Sequence, residues 1–273
     1  MEHPSVSIGR VEVAVVCEGY GPMPLEDEFP GTPVDWDAVR AAHGWMFHDE
    51  DSWAWHVHAF VLRTPPGVVM VDAGVSPFPP YAPWAIHTPI DDALAAAGVE
   101  PAEVRLVVHT HLHADHSGGA VIDGQPRYPN ARHVVHPADW EHFAHADDRE
   151  DYVARHAMEV LEQRGVLDLG PDDREVWPGI RVVHSPGHTP GHRSVVLVDG
   201  TETLLLTGDL LHTPPQVARP EALSSHDEEP ELACRSRVGL IGQAREGAWR
   251  VAVTHFARPF GMVGAQGWVE SDG

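Results

Sequence analysis

The sequence predicts an α/β fold in which a two-layer sheet core is covered by helices on both outer faces. Three observations predict it. Short β-branched-rich runs occur in both halves of the 273-residue chain, helical periodicity is interspersed between them, and a hydrophobic fraction of 42% suffices for a large core. No repeat, low-complexity tract or long linker divides the chain, so residues 1–273 are expected to form a single domain.

Ile8 to Val16 alternates and predicts a strand. Gly21 to Gly44 is rich in Pro, Gly and acids, and the segment from about 17 to 50 is expected to be irregular. His56 to Arg63 and Val68 to Asp72 are strand-like and flank the turn signal Thr64-Pro65-Pro66-Gly67, which predicts a hairpin. Asp91 to Ala97 is a short helix that Gly98 stops. Val104 to Val108 and Arg132 to Val135 are short strands. Pro137 to Ala144 and Glu150 to Arg164 are helical, the second with Tyr152, Val153, His156, Val160 and Leu161 near one face. Ile180 to His184, Ser194 to Val198 and Thr203 to Leu206 are strands. Pro230 to Glu246 is a helix carrying Leu232, Val238, Leu240 and Ile241, and Arg250 to Val253 is expected to be the last strand.

Charge excludes whole classes of partner. Acids outnumber bases 41 to 18, the net charge is −23, and every basic residue is Arg. Such a field repels phosphate backbones and anionic membranes, so neither nucleic acid nor a membrane is expected as a partner. Met1 to Gly9 lacks the basic start and apolar run of a signal peptide, and no stretch approaches the ~20 apolar residues of a membrane span. A cytoplasmic protein is expected. Cys17 and Cys234 lie in no CxxC and are expected to be free thiols.

The chain holds 21 His, and position decides what they mean. Directly after the strand Val104 to Val108 comes His109-Thr110-His111-Leu112-His113-Ala114-Asp115-His116-Ser117-Gly118-Gly119. His111, His113, Asp115 and His116 form an HxHxDH pattern. Imidazole and carboxylate suit zinc and its borderline neighbours. Four candidate ligands so close together cannot all reach one tetrahedral ion. The spacing suits two ions, one taking His111 and His113, the other Asp115 and His116. Gly118 and Gly119 then let the backbone turn and start a helix.

This pattern resembles the metallo-β-lactamase superfamily, and the resemblance runs from about Val57 to Gly261. Val71-Asp72-Ala73-Gly74 resembles the family's DxG element. Ser185-Pro186-Gly187-His188-Thr189-Pro190-Gly191-His192 resembles its second ligand loop, Leu206-Thr207-Gly208-Asp209 its third element and Val253-Thr254-His255-Phe256 its last. The resemblance implies a four-layer αββα sandwich. It implies one metal on His111, His113 and His188, a second on Asp115, His116 and His255, and Asp209 bridging both. Asp72 would orient a ligand rather than bind metal, and His192 would pack beside the site. His109 belongs to the strand end. His43, His48, His87, His133, His136, His142, His145 and His156 are expected at the surface or in loops.

Two Zn2+ per chain are implied, with Fe or Mn as other occupants. Ions roughly 3.5–4 Å apart share a water and lower its pKa toward ~7. The resulting hydroxide would attack an ester, lactone or related acyl bond, with Asp115 and Asp209 orienting it and handling its proton. In the family's N-acyl-homoserine lactonases a Tyr commonly stands three residues past the bridging Asp. Here it is His212, expected to hydrogen-bond substrate; the surrounding residues look more like the subgroup of methyl-parathion-hydrolase-like enzymes. Trp45, Met46, Phe47, Trp53, Trp55, Phe60 and Trp84 form a candidate aromatic wall for a small, apolar or acyl substrate; ordinary packing is the other reading of them. The alternatives are a biosynthetic thioesterase or cyclase and an iron-dependent oxidoreductase of the same fold. The resemblance leaves a homodimer open.

Overall fold

A computed structural model describes residues 4–26, 28–75, 88–144, 149–170 and 173–271. Trp84, His87 and His145 lie outside them, as does the side chain of Tyr152. In chain order the strands are β1 (Ser5–Ile8), β2 (Val11–Pro24), β3 (Ser52–Thr64), β4 (Gly67–Val71), β5 (Val104–Val108), β6 (Val121–Ile122), β7 (Gln125–Pro126), β8 (Arg132–Val135), β9 (Leu167–Leu169), β10 (Glu175–Trp177), β11 (Ile180–His184), β12 (Arg193–Asp199), β13 (Glu202–Leu206), β14 (Arg250–Ala252), β15 (Phe260–Gly264) and β16 (Gly267–Glu270). The helices are α1 (Trp36–His43), α2 (Ile90–Ala96), α3 (Ala114–Ser117), α4 (Pro137–Ala144), α5 (Arg149–Gln163), α6 (Pro215–Ala218) and α7 (Pro230–Glu246).

Two mixed seven-stranded sheets result, ordered β1-β2-β3-β4-β5-β8-β9 and β10-β11-β12-β13-β14-β15-β16. Pleat alternation sorts their side chains between layers. Phe60, Leu62, Val69, Val71, Leu106 and Val108 of the first sheet meet Val182, Val195, Leu197, Leu204 and Leu206 of the second in one buried core. The opposite face of the first sheet, with Val61, Met70 and Val107, packs on Leu94 of α2 and on Ala154, Ala157, Met158 and Leu161 of α5. The outer face of the second, with Leu205 and Val251, packs on Leu240, Ile241 and Ala244 of α7. This is the expected αββα order. None of the described helices is long and apolar enough to cross a membrane.

Several expectations need correction. The segment from 17 to 50 is not irregular throughout. β2 runs on to Pro24, bulged between Cys17 and Gly19, and Asp35 accepts from the Ala38 amide to cap α1. β1 pairs β2 only as far as Ala14, so β2 is an edge beyond that point, where Pro22 and Pro24 cost no ladder bond. The strand beginning at Arg250 is followed by the hairpin β15–β16. The helix expected after the HxHxDH pattern starts inside it, at Ala114, ahead of Gly118 and Gly119, which form a 3-10 turn. Gly119 is needed for space, because a Cβ there would collide with the Ala73 carbonyl. Val238 is exposed, and α7 buries Ala233 and Arg237 instead. His133 and His136 are buried, not superficial. His133 sits on an interior strand, where its ring stacks on His109 and their nitrogens lie 3.0 Å apart. Cys17 and Cys234 are free, as expected.

Candidate metal centre

Every residue of the expected set lies at a strand end or in the loop that follows, at one rim of the sandwich. β5 is apolar and nearly fully buried, and it delivers the chain to Thr110 with no freedom of position. Asp72, at the end of the parallel neighbour β4, has a φ of +64°, a conformation Asp tolerates better than most residues. That turn aims its carboxylate across the strand ends. Oδ1 accepts from the Thr110 amide at 2.8 Å, and Oδ2 accepts from His116 Nδ1 at 2.8 Å. The Ser117 hydroxyl donates to the Leu112 carbonyl at 3.0 Å and closes the turn.

The turn gathers its donors with two outcomes. His111 Nε2 lies 2.9 Å from His113 Nδ1, which lies 2.9 Å from His188 Nε2. Three ring nitrogens therefore face one point. Burial pushes the His113 pKa down to about 3 and holds His111 well below its ordinary value, so these imidazoles are neutral and offer lone pairs. On the other side stand Asp115, His116 and His255, whose donor atoms also lie within 4.8 Å of one another.

Asp209 stands between the two groups. Its carboxylate is 3.8 Å from His111 Nε2, 3.2 Å from His116 Nε2, 3.4 Å from His188 Nε2 and 3.0 Å from His255 Nε2. It is placed by β13 and by its own amide, which donates to His192 Nε2 at 3.0 Å, while His192 Nδ1 donates to the Ser185 carbonyl at 2.9 Å. His192 thus packs beside the site as expected.

The tautomers supply a test of whether cations fit. His255 Nδ1 donates to the His56 carbonyl at 2.6 Å, which leaves Nε2 bare toward Asp209. His116 Nδ1 is spent on Asp72, and its buried Nε2 has no hydrogen-bond partner although two carboxylates lie at 3.2 and 3.3 Å. Bare nitrogens facing carboxylate oxygens repel unless a positive charge lies between them. A proton can supply it: burial alone would lower the His116 pKa, but Asp209, Asp115 and Asp72 hold it well above its ordinary value. A cation supplies it better, because it satisfies several donors at once. The donor set fits two ions.

His212, from the loop after β13, is buried, and its Nε2 lies 3.3 Å from Asp209 Oδ2. Burial lowers its pKa to about 4, so it is neutral, and its Nδ1 is buried with no hydrogen-bond partner. Of the aromatic wall, Trp45, Met46 and Trp53 line a small cleft together with His212, His255 and Phe256. The Trp55 ring leans on His255 at 5.4 Å. Phe60 does not belong to it; its strand position turns it into the inter-sheet core.

The sequence points to no role for Asp139, and marks Asp227 only as part of a segment, Asp227-Glu228-Glu229-Pro230, that resembles the methyl-parathion-hydrolase-like subgroup. Asp139, at the start of α4, accepts from the Leu112 amide at 3.1 Å, the Thr189 hydroxyl at 3.1 Å and the Gly191 amide at 2.6 Å. It latches the HxHxDH turn to the loop that carries His188. Asp227 lies 3.6 Å from His188 Nδ1 and 3.4 Å from the buried Arg237 guanidinium. An acid in a helix's first turn reads only as a dipole partner, and nothing local to Asp139 marks what it reaches.

A family model described as the metallo-beta-lactamase superfamily matches residues 53–245. An N-acyl homoserine lactonase of Bacillus sp. is 29% identical over 150 residues, 55% of this chain and 55% of that protein. The N-acyl homoserine lactonase AttM of Rhizobium johnstonii is 36% identical over 133 residues, 45% of this chain and 47% of that protein. The chain spans about half the length of the curated relatives it matches. Among solved structures, the hydrolase AbOPH superposes with a TM-score of 0.84 at 21% identity, covering 99% of this chain and 98% of that one. AidC, a dizinc quorum-quenching lactonase in complex with a product, also superposes with a TM-score of 0.84, at 17% identity and the same coverage. At such identities these two likenesses show the fold.

Proposed function

This chain belongs to the metallo-beta-lactamase superfamily, and from that premise we propose that it is a dizinc hydrolase of an ester or lactone carrying an apolar acyl group. The observation that carries the reading is the Asp209 carboxylate, set between two donor triads whose bare nitrogens need positive charge. The proposed ligands are His111, His113 and His188 for one ion, and Asp115, His116 and His255 for the other, with Asp209 shared. The same proposal takes residues 1–273 as one domain of this fold.

When bound, a pair of divalent cations lowers the pKa of a shared water toward ~7 and polarises the scissile carbonyl. The chain's own residues do the rest. Burial would raise the pKa of both Asp115 and Asp209, and the positive charge beside them, a proton on His116 in the metal-free chain and the cations once bound, would hold them ionised. They orient the attacking water and accept hydrogen bonds from it. His212, neutral and fixed by its amide's bond to Gln216 Oε1 at 2.6 Å, donates a ring N–H to the oxygen that gains charge. Trp45, Met46, Trp53 and Phe256 pack beside His212 and His255 and exclude water from that side of the site. The lactonase relatives support the lactone arm of the reading.

The test is metal quantitation of the purified protein beside hydrolysis of N-acyl homoserine lactones and p-nitrophenyl esters. Two zinc ions per chain, with hydrolysis lost on chelation and restored by zinc, is the expected result. Iron with oxygen consumption and no hydrolysis would overturn it.

A further inference from the structure

The inter-sheet core changes character as it nears the rim. Along β2 the residues facing it are Val11, Val13 and Val15, and the next in that row is Cys17. Along β3 they are Leu62 and Phe60, and the next two positions of that row are His58 and His56. Cys17 and His58 are direct cross-strand partners. An apolar stripe therefore ends in a thiol and two imidazoles on one face of one hairpin.

These three side chains come together. The Cys17 sulfur and one ring nitrogen from each of His56 and His58 lie within 4.8 Å of one another, and the two rings are 5.1 Å apart. His58 is 3% exposed, and its Nδ1 is buried with no hydrogen-bond partner; the same holds for His56 Nδ1. Among the described residues the thiol's one hydrogen bond is a long contact of 3.6 Å to the Gly19 carbonyl across the bulge. Tyr20 stacks on His56 at 4.8 Å and covers that side. Two such nitrogens facing the neighbourhood of a thiol leave three donors that a single partner can satisfy together.

We propose that Cys17, His56 and His58 form a further metal site, separate from the dinuclear centre, that binds one borderline-soft transition ion of the zinc class. Thiolate and imidazole select such ions, and the trio contains no carboxylate to favour Mg2+ or Ca2+. Three protein ligands leave the fourth tetrahedral position to solvent. As the sulfur–metal bond forms, the thiol proton passes to solvent. The site meets the first centre at His56, whose carbonyl accepts from His255 Nδ1.

Cobalt distinguishes the two centres, because the seven proposed ligands of the dinuclear site include no sulfur. The metal-free protein would be titrated with Co2+ and followed by absorption and by bound equivalents. Three equivalents are expected, one of them bringing a near-ultraviolet thiolate-to-cobalt charge-transfer band. Cys17→Ser should lose that band and one equivalent, keep two, and leave ester hydrolysis by the zinc-loaded protein unchanged. His56→Gln should also lose one equivalent while its thiol remains titratable. Two equivalents and no thiolate band in the wild type would overturn the proposal. So would a band that survives Cys17→Ser, since its sulfur would then be Cys234.

Discussion

The two sheets contribute equal numbers of strands, but they furnish the rim in different ways. The first sheet supplies four donors from one turn, His111, His113, Asp115 and His116, and orients them with Asp72 from the adjacent strand. The second supplies three donors from three places: His188 after β11, Asp209 after β13 and His255 after β14. The first group is contiguous in sequence, although Asp72 and Asp139 from other elements help to hold it. The second exists only once the sheet has assembled, and α7 must cross between β13 and β14 for Asp209 and His255 to meet. The dispersed donors are therefore the ones that would make metal binding a property of the whole fold.

The strongest way to break this division is Asp209→Ala, which removes the one carboxylate shared by both groups. Metal content and hydrolysis should fall together, the latter by more than the ~10–100-fold typical of losing an orienting partner. Two retained ions with full activity, read by metal analysis and steady-state kinetics, would remove the bridge. Asp139→Asn tests the latch between the sheets. An amide nitrogen would confront one of the N–H groups the carboxylate now accepts from. Affinity for the ion on His111, His113 and His188 should weaken roughly 10–100-fold, with less effect on the other ion; competition with a chromophoric chelator would show whether both ions weaken equally, which would refute a local latch. His212→Phe should keep both ions and slow turnover roughly 3- to 10-fold, the worth of one hydrogen bond. Unchanged turnover at saturating substrate would deny His212 a substrate contact.

The smallest effect concerns the support of the local turn. Glu18 accepts from the Val75 amide at 2.8 Å, and burial raises its pKa from 4.5 to about 8. The folded state thus prefers the protonated acid. Its stabilisation is complete below pH 4.5 and is lost as pH rises through about 8. Glu18→Gln keeps the acceptor and removes the charge. Its melting temperature should exceed that of the wild type at pH 9, by roughly 2–4 °C per kcal/mol relieved. At pH 5 the two should agree; an equal gain at both pH values would show that ionisation plays no part.

The same contrast explains what could be read from the sequence. The HxHxDH turn was legible because its donors are contiguous and follow a buried strand. His188, Asp209 and His255 were legible only through family resemblance, since one His in a Pro-Gly loop has no local signal. The core strands β4, β5, β8, β11 and β13 were plain from their apolar runs. β9 and β10, three residues each, carry too little pattern to register. The far half of β2 was hidden by Gly19, Gly21, Pro22 and Pro24, which an edge strand accepts and a central one does not. Asp139 was invisible because its partners are distant in sequence, and the contact of Asp227 with His188 for the same reason.

One close approach has a consequence for how the site is held. The loop bearing His188 lies on the first turn of α7: the Glu229 amide donates to the Gly187 carbonyl at 2.8 Å, and a Cβ on Gly187 would collide with the Ala233 backbone. With no slack there, the position of the His188 loop depends on that of the first turn of α7, so a helix that lends no donor of its own still bears on where one imidazole stands.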